Sequence, residues 1–167
     1  STAVATVLIS GLEISQTSIA TGIQQARLQG RFEVRQIQDK TVIFDAGHNP
    51  HGVEFLLKQL QKFLKYHTQY TEVIAVFSML ADKDIASVTD LLKTTVKDWF
   101  IATLDVPRAA PMSQLQAALH AQQVYEFGSI QQAFATALQQ SNNNQLILVC
   151  GSIHTLEAVW EYLEQCQ

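Results

Sequence analysis

Hydrophobic residues along this chain follow two periods that alternate from about residue 41 onward. Stretches with apolar residues three or four positions apart predict helices, and short continuous apolar runs between them predict strands that are buried on both faces. The predicted strands span 32–37, 41–44, 73–77, 99–102, 124–127 and 146–150, and the predicted helices span 14–28, 50–64, 85–96, 113–121, 130–138 and 154–164. This order predicts a three-layer α/β fold, with a mostly parallel sheet, helices on both of its faces, and an antiparallel hairpin formed by the first two strands.

The first 30 residues do not fit this alternation. We expect residues 1–30 to be the tail and linker of a preceding domain and residues 31–167 to form one α/β domain, because the chain starts with Ser1-Thr2-Ala3, as after a cut inside a longer protein. The apolar stretch up to Ile9 lacks the basic flank and the length of a signal peptide or a membrane span, so we expect no membrane association.

Composition narrows the classes of partner. Hydrophobic residues make up 47% of the chain and charged residues 16%, and the formal net charge is -4, which is typical of an ordinary globular domain. The absence of a lysine or arginine run argues against nucleic acid as a partner. Cys150 and Cys166 are too few and too far apart for a disulfide framework, so we expect two free thiols and a cytoplasmic location.

The loop after the second strand, Asp45-Ala46-Gly47-His48-Asn49-Pro50, is the first candidate site. Ligands of such sheets collect where strands end and helices begin, and free amides at a helix start attract anions. His48 can donate to a carboxylate or phosphate, and Asp45 can accept hydroxyl groups of a ribose. An equally good interpretation is structural, with Asn49 capping the helix and His48 packed. His48 and His51 have the wrong spacing for a metal pair, so we predict no metal site.

Four further residues are candidates on weaker grounds. Lys83, in the loop after the third strand, can pair with a ligand carboxylate or with a neighbouring aspartate. Arg108 lies in a proline-stiffened loop and can clamp a carboxylate, although a lone loop arginine is more often simply exposed. Ser152, after the last strand, can bind a small anion or cap the final helix, and Arg31, after Gly30, can reach a phosphate or lie on the surface.

Known self-sufficient site motifs are absent. The chain has no G-x-x-x-x-G-K-[ST] phosphate loop, no G-x-G-x-x-G fingerprint and no G-x-S-x-G elbow. The sequence therefore predicts neither a complete nucleotide site nor a confident catalytic residue within this chain.

Taken together, the candidate segments resemble the bacterial dihydrofolate synthase/folylpolyglutamate synthase family of the Mur ligase superfamily. The matching segments occur in the family's order: Gly30-Arg31-Phe32, the loop from Asp45 to Pro50, Met79 to Asp84, Pro107-Arg108, and Cys150 to Thr155. The resemblance covers essentially the whole chain as a C-terminal domain, with residues 1 to about 30 similar to the last helices of the central domain. The family often has proline before Gly30, where this chain has Gln29.

The resemblance implies a Rossmann-like Mur ligase C-terminal domain and a specific reaction. Such enzymes join the amine of L-glutamate to a carboxylate of dihydropteroate or a folate, using ATP and Mg²⁺ and passing through an acyl phosphate. It places Arg31 at the ATP phosphates, Asp45 near the ribose, and His48, Ser152, Lys83 and Arg108 near glutamate. The phosphate loop and the magnesium ligands are expected in the missing central domain, and the N-terminal domain of the same enzyme is an expected partner. This fragment alone is therefore expected to be inactive, and the enzyme is expected to be a cytoplasmic monomer.

Two alternatives remain open at the level of sequence. A cell-wall Mur ligase, which joins an amino acid to a UDP-linked muropeptide, shares the fold and a related Asp/His/Asn/Pro loop. A non-catalytic α/β binding module is the other alternative, and it predicts that Arg31, Asp45 and His48 point away from one another.

Overall fold

Six strands and seven helices occur in the part of the chain that the computed structural model describes, residues 2–25 and 28–166. The strands are β1 (Glu33–Ile37), β2 (Lys40–Asp45), β3 (Glu72–Phe77), β4 (Val96–Ile101), β5 (Gln123–Glu126) and β6 (Gln145–Cys150). The helices are α1 (Thr2–Ile9), α2 (Gln16–Gln25), α3 (Pro50–Tyr66), α4 (Ile85–Leu92), α5 (Met112–Ala118), α6 (Ile130–Gln140) and α7 (Ile153–Gln165).

The strands form a single sheet in the order β1-β2-β6-β3-β4-β5. β1 and β2 are antiparallel, and every other neighbouring pair is parallel. Gln38 and Asp39 connect the hairpin with positive φ angles of 48° and 63°, the backbone that suits the twist of a two-residue hairpin turn. The predicted fold class, including the antiparallel hairpin at its start, is confirmed.

Each face of the sheet carries its own hydrophobic core, because successive strand residues point to opposite faces. Ile43 lies in one core, which α3, α4 and α5 cover with residues such as Leu56. Its neighbour Phe44 lies in the other core, which α6 and α7 cover with residues such as Phe134 and Val159. The three layers hold the strand ends in fixed positions, so the loops after β2, β6 and β3 lie side by side in that order.

The end of β6 approaches β3 more closely than a side chain permits. Gly151 has a φ of 103°, and a Cβ atom there would lie 2.4 Å from the Ser78 carbonyl oxygen and 2.7 Å from the Phe77 ring. Thr155, in the first turn of α7, donates a hydrogen bond of 2.9 Å to the same Ser78 oxygen. Glycine at this position therefore lets α7 start directly against the end of β3.

Several helix bounds differ from the predicted ones, most clearly at the end of α4. The predicted helix 85–96 ends at Leu92, and Val96 instead opens β4, where it is buried beside Val73. Val96 fits the helical spacing by coincidence, because strand pairing and not helical packing buries it. The predicted helix 14–28 is observed as α2, and residues 26 and 27 lie outside the described part of the chain.

A serine at the start of the predicted helix 113–121 favours Ser113 as its N-cap, and this prediction is wrong. Ser113 lies inside the helix, and Pro111 occupies the cap position with no side-chain hydrogen bond. The fixed φ of proline, -65° here, starts the helix without a capping side chain. The predicted end at Ala121 is also too late, because α5 stops at Ala118 and Ala121 has a positive φ of 63°.

Both cysteines are free, as predicted. Cys150 is buried at the end of β6, and Cys166 is exposed after α7. Burial raises the pKa of the Cys150 thiol above its ordinary value, and the negative charge of Asp45 raises it further. Among the helices of the described residues, none is long and apolar enough to cross a membrane.

Gly151→Ala is expected to lower the free energy of unfolding by about 2–4 kcal/mol, because it combines an unfavourable φ with overlap against backbone. Gly22→Ala is the matched control, since a Cβ atom at Gly22 meets no atom within 4 Å. Chemical denaturation followed by circular dichroism measures both variants. A Gly151→Ala chain as stable as the Gly22→Ala chain would contradict the close approach of β6 and β3.

Candidate functional site

The carboxyl ends of the parallel strands lie at one edge of the sheet. Asp45 is paired with Cys150, Cys150 with Phe77, and Phe77 with Ile101, so the last residues of β2, β6, β3 and β4 are aligned. Arg31 lies at this edge as well, because it precedes the antiparallel β1. All six candidate residues are therefore on loops that leave the same edge.

Asp45 is the most buried of the six, together with Ser152, with 4% of its surface exposed. Its Oδ1 accepts a hydrogen bond from the Gly47 amide at 2.8 Å, and its Oδ2 accepts one from the Phe32 amide at 2.9 Å. Burial raises the pKa of the Asp45 carboxyl, while these two amides and the positive charge of Arg31 oppose the rise. Asp45 thus joins β2 to residues 30–32, the short linker that leads into β1. Arg31 lies close enough for its charge to act on the carboxylate.

The linker itself is held on both sides of Arg31. The Gly30 carbonyl accepts a hydrogen bond of 2.9 Å from the Ala46 amide. Gly30 has a φ of 69°, and a Cβ atom there would lie 2.8 Å from Leu156 and 3.3 Å from Trp160. The backbone is therefore packed against α7, while the Arg31 side chain is exposed. Arg31 also borders a cavity of about 810 Å³, which Gln29 and Glu33 line too.

His48 lies in the loop between β2 and α3 and is half-buried. Its Nδ1 is 3.0 Å from the Ala46 carbonyl oxygen, and because a carbonyl only accepts, Nδ1 carries a proton. The other ring nitrogen, Nε2, is then an acceptor in the neutral ring and donates only when the ring is protonated. Asn49 caps α3 by accepting from the Gly52 amide at 2.8 Å, and Pro50 is the first helical residue, as predicted.

Lys83 and Arg108 meet at one carboxylate. The Lys83 Nζ lies 3.3 Å from Asp82 Oδ2, and Arg108 reaches the same oxygen at 3.6 Å. Their loops are also joined through backbone, since the Ala81 amide donates to the Arg108 carbonyl at 2.8 Å. All three charged side chains are substantially exposed, Arg108 the most at 67%. Lys83 thus pairs with a neighbouring aspartate, one of the two alternatives that the sequence offers, and its contact with glutamate stays a prediction.

Ser152 lies between these two groups, because β6 lies between β2 and β3. It is the N-cap of α7, and its hydroxyl accepts from the His154 amide at 3.3 Å. The capping role that the sequence offered for Ser152 is therefore confirmed. Its contact with glutamate stays a prediction.

The structure thus brings the candidates together in two groups, Arg31 with Asp45 and Lys83 with Arg108. His48 shares the loop of the first group. Sequence reasoning missed Glu33, which accepts a hydrogen bond from the Gly30 amide next to Arg31. Glu33 gave no signal beyond its place in an alternating strand, whereas Asp82 follows from its position next to Lys83.

The comparison with known families decides the identity. The Mur ligase, glutamate ligase domain family matches residues 30–153. This chain belongs to that family. The charge of Arg31 acts on the Asp45 carboxyl, so these two residues lie near one another. The directions of Arg31, Asp45 and His48 relative to one another, on which the non-catalytic alternative depends, stay a prediction.

Relatives of this Mur ligase domain are longer proteins. The dihydrofolate synthase/folylpolyglutamate synthase of Escherichia coli (strain K12) is 39% identical over 163 residues, which is 98% of this chain and 37% of the relative. The structure of E. coli FolC in complex with DHPP and ADP has a TM-score of 0.87 and 39% identity, with 99% of this chain and 38% of that chain covered. A bifunctional folylpolyglutamate synthase/dihydrofolate synthase with Mn, AMPPNP and L-glutamate bound has a TM-score of 0.85 and 35% identity, with 98% and 38% covered.

The Asp45 carboxyl is expected to titrate above the ordinary aspartate pKa of 3.8 in an NMR pH titration. Arg31→Ala should raise this pKa further, because it removes a positive charge that favours the carboxylate, and Arg31→Lys should leave it nearly unchanged. The folded chain then binds the Asp45 proton more tightly than the unfolded chain. The contribution of Asp45 to the free energy of unfolding therefore falls as the pH rises from the unfolded-state pKa through the folded-state pKa. A pKa that does not respond to Arg31→Ala would contradict the placement of Arg31 beside Asp45.

Proposed function

We propose that this Mur ligase domain is the C-terminal part of an ATP-dependent ligase that adds L-glutamate to dihydropteroate or a folate. The observation that carries the proposal is the position of two cationic groups, Arg31 beside Asp45 and Lys83 beside Arg108, along one edge of the sheet. Two anionic ligands, a nucleotide and an amino acid, match such a pair of groups. The identity of 39% to the E. coli synthase supports the choice of the folate branch over a cell-wall ligase.

In the proposed reaction, a substrate carboxylate oxygen attacks the γ-phosphorus of ATP, and the bond to ADP breaks to leave an acyl phosphate. The glutamate amine then attacks the acyl carbon, inorganic phosphate leaves, and the amine proton passes to solvent. Arg31 contacts the phosphates, where a permanently charged, forked guanidinium stabilises the charge that develops during phosphoryl transfer. Asp45 contacts the ribose region of the nucleotide through lone pairs that its two backbone hydrogen bonds leave available.

Glutamate is proposed to bind at the other group. Asp82 forms ion pairs with both Lys83 and Arg108, and its carboxylate is the same chemical group that glutamate presents. Ion pairs between exposed side chains are weak in water, so a ligand carboxylate can replace Asp82 without a large loss. Ser152 and His48 complete the proposed glutamate contacts from the two neighbouring loops.

This chain spans about 37% of the length of the E. coli synthase. The remaining steps of the reaction are assigned to the other parts of the enzyme. Within the described residues, no three histidine, cysteine or acidic side chains lie close enough to hold a metal ion. Magnesium is proposed to bind outside this domain, together with the phosphate loop, as the resemblance to the synthase family implies. An acyl phosphate is lost to water unless the site is closed, and closure of this domain over the other would exclude solvent.

We further propose that residues 1–30 are the tail and linker of the preceding domain. Large apolar side chains are exposed in this part of the chain: Leu8 at 66%, Ile9 at 84%, Leu12 at 67% and Leu28 at 71%. Clustered exposed apolar residues of this kind mark surfaces that another part of a protein covers. A cytoplasmic location and a monomeric state stay predictions.

Arg31→Ala in the intact ligase is expected to lower kcat about a thousandfold, because the lost cation acts mainly on the phosphoryl-transfer step. The KM for L-glutamate should change less than about twofold, since a lost transition-state contact lowers kcat without weakening the binding of a separate substrate. ADP release measured with dihydropteroate and L-glutamate gives both values. Lys97→Ala, at the amino end of β4, is the control. Turnover of a UDP-linked muropeptide by the wild-type enzyme would contradict the proposed substrate class.

Lys83→Ala and Arg108→Ala are each expected to raise the KM for L-glutamate about tenfold, the loss of roughly one charge-assisted hydrogen bond. The KM for ATP should stay unchanged, because the nucleotide is assigned to the other group. Steady-state kinetics with each substrate varied in turn separates these effects. An increase in the ATP KM with no change for glutamate would reverse the assignment.

A further inference from the structure

Glu33, the first residue of β1, connects the linker to an arginine that the candidate site does not include. Its Oε2 accepts a hydrogen bond from the Gly30 amide at 2.9 Å. Its Oε1 lies 2.7 Å from both the Nε and the NH2 nitrogens of Arg35. The half-buried carboxylate thus connects the Gly30 amide to the Arg35 guanidinium.

Arg35 is itself held in place by aromatic rings. Its guanidinium carbon lies 5.3 Å from the centre of the Phe44 ring and 5.6 Å from that of the Trp160 ring. A guanidinium at these distances is attracted by the negative face of the ring. Since Phe44 belongs to β2 and Trp160 to α7, the position of Arg35, and with it that of Glu33, is set by the body of the domain.

Three hydrogen bonds fix the backbone on either side of Arg31. The Gly30 amide donates to Glu33, the Gly30 carbonyl accepts from Ala46, and the Phe32 amide donates to Asp45. Of the two side chains in these bonds, Asp45 is proposed to bind the nucleotide, whereas Glu33 is not proposed to bind any ligand. Glu33 can therefore be changed without removing a ligand contact.

We propose that Glu33 is a positioning residue, which directs Arg31 at the nucleotide phosphates by accepting the hydrogen bond of the Gly30 amide. This inference rests on the proposed function. Glu33 acts through its acceptor oxygen and not through its charge, because its partner in the linker is a neutral amide. A displacement of about 1 Å in a group that stabilises a transition state can lower the rate about a hundredfold.

Kinetics of three variants of the intact ligase tests the proposal. Glu33→Ala removes the acceptor and is expected to lower kcat about 10–100-fold, with the KM for L-glutamate changed less than about twofold. Glu33→Gln retains an acceptor oxygen and is expected to stay within about threefold of the wild type. Glu72→Ala is the matched control. Glu72 likewise accepts hydrogen bonds from a cation, Lys97, and from the side-chain amide of Gln145, but it lies at the start of β3, at the opposite edge of the sheet. Equal activity of Glu33→Ala and Glu72→Ala would overturn the inference.

A double variant separates positioning from general stability. In an Arg31→Ala background, Glu33→Ala should lower kcat no further, because the residue it positions is gone. A further loss equal to that in the wild-type background would mean that Glu33 acts on the fold and would overturn the inference. Arg35→Ala tests the same proposal if Glu33→Ala folds poorly, because it removes the ion pair that holds the Glu33 side chain. It is expected to lower kcat a few-fold, and this loss should also vanish in the Arg31→Ala background.

The proposed function and this inference fail in different ways. A wild-type enzyme that adds no glutamate to dihydropteroate or folates would overturn both. A wild-type enzyme that is active, with a Glu33→Ala variant that is equally active, would overturn the inference alone.

Discussion

Parallel pairing around β6 is the constraint on which the site depends. Because the last residues of β2, β6 and β3 are in register, the loops that follow them lie side by side although they are far apart in sequence. Gly151 sharpens this arrangement, since its missing side chain lets α7 begin against the end of β3. Ser152 is thereby fixed between the loop that carries Asp45 and the loop that carries Lys83. The positions of these loops relative to one another therefore follow from the strand order.

The two groups at this edge differ in how firmly they are held. Asp45 is buried, and both of its carboxylate oxygens bind backbone amides, so the first group is part of the framework. Asp82 is half exposed and shares one oxygen between Lys83 and Arg108, an arrangement that water competes with. A cation carried by a fixed backbone, as Arg31 is, suits a step in which charge develops at a defined point. An exchangeable pair suits a substrate that enters and leaves. The difference in burial thus matches the different tasks proposed for nucleotide and amino acid.

Much of the fold could be predicted from sequence because each element carries a local signal. Asn49 and Ser152 cap helices where the sequence predicts them, and Pro50 is the first residue of α3. Local signals fail where a distant partner decides the outcome: Val96 fits a helical spacing, yet pairing with β3 makes it the start of a strand. For the site, the loops could be predicted, but the contacts among them could not. Neither the sharing of Asp82 by two cations nor the bond from Glu33 to Gly30 follows from spacing, since both depend on how the backbone turns.

The two thiols of this domain differ in accessibility, which has a practical consequence. Cys150 is enclosed at the sheet edge and resists deprotonation, whereas Cys166 is open to solvent after the last turn of α7. Maleimide dyes react with thiolates, so at neutral pH they will attach to Cys166 and spare Cys150. Because α7 starts at this edge of the sheet and rises about 1.5 Å per residue, the dye will sit roughly 20 Å from the candidate site. A fluorophore there can report on the proposed domain closure without covering Asp45 or Lys83.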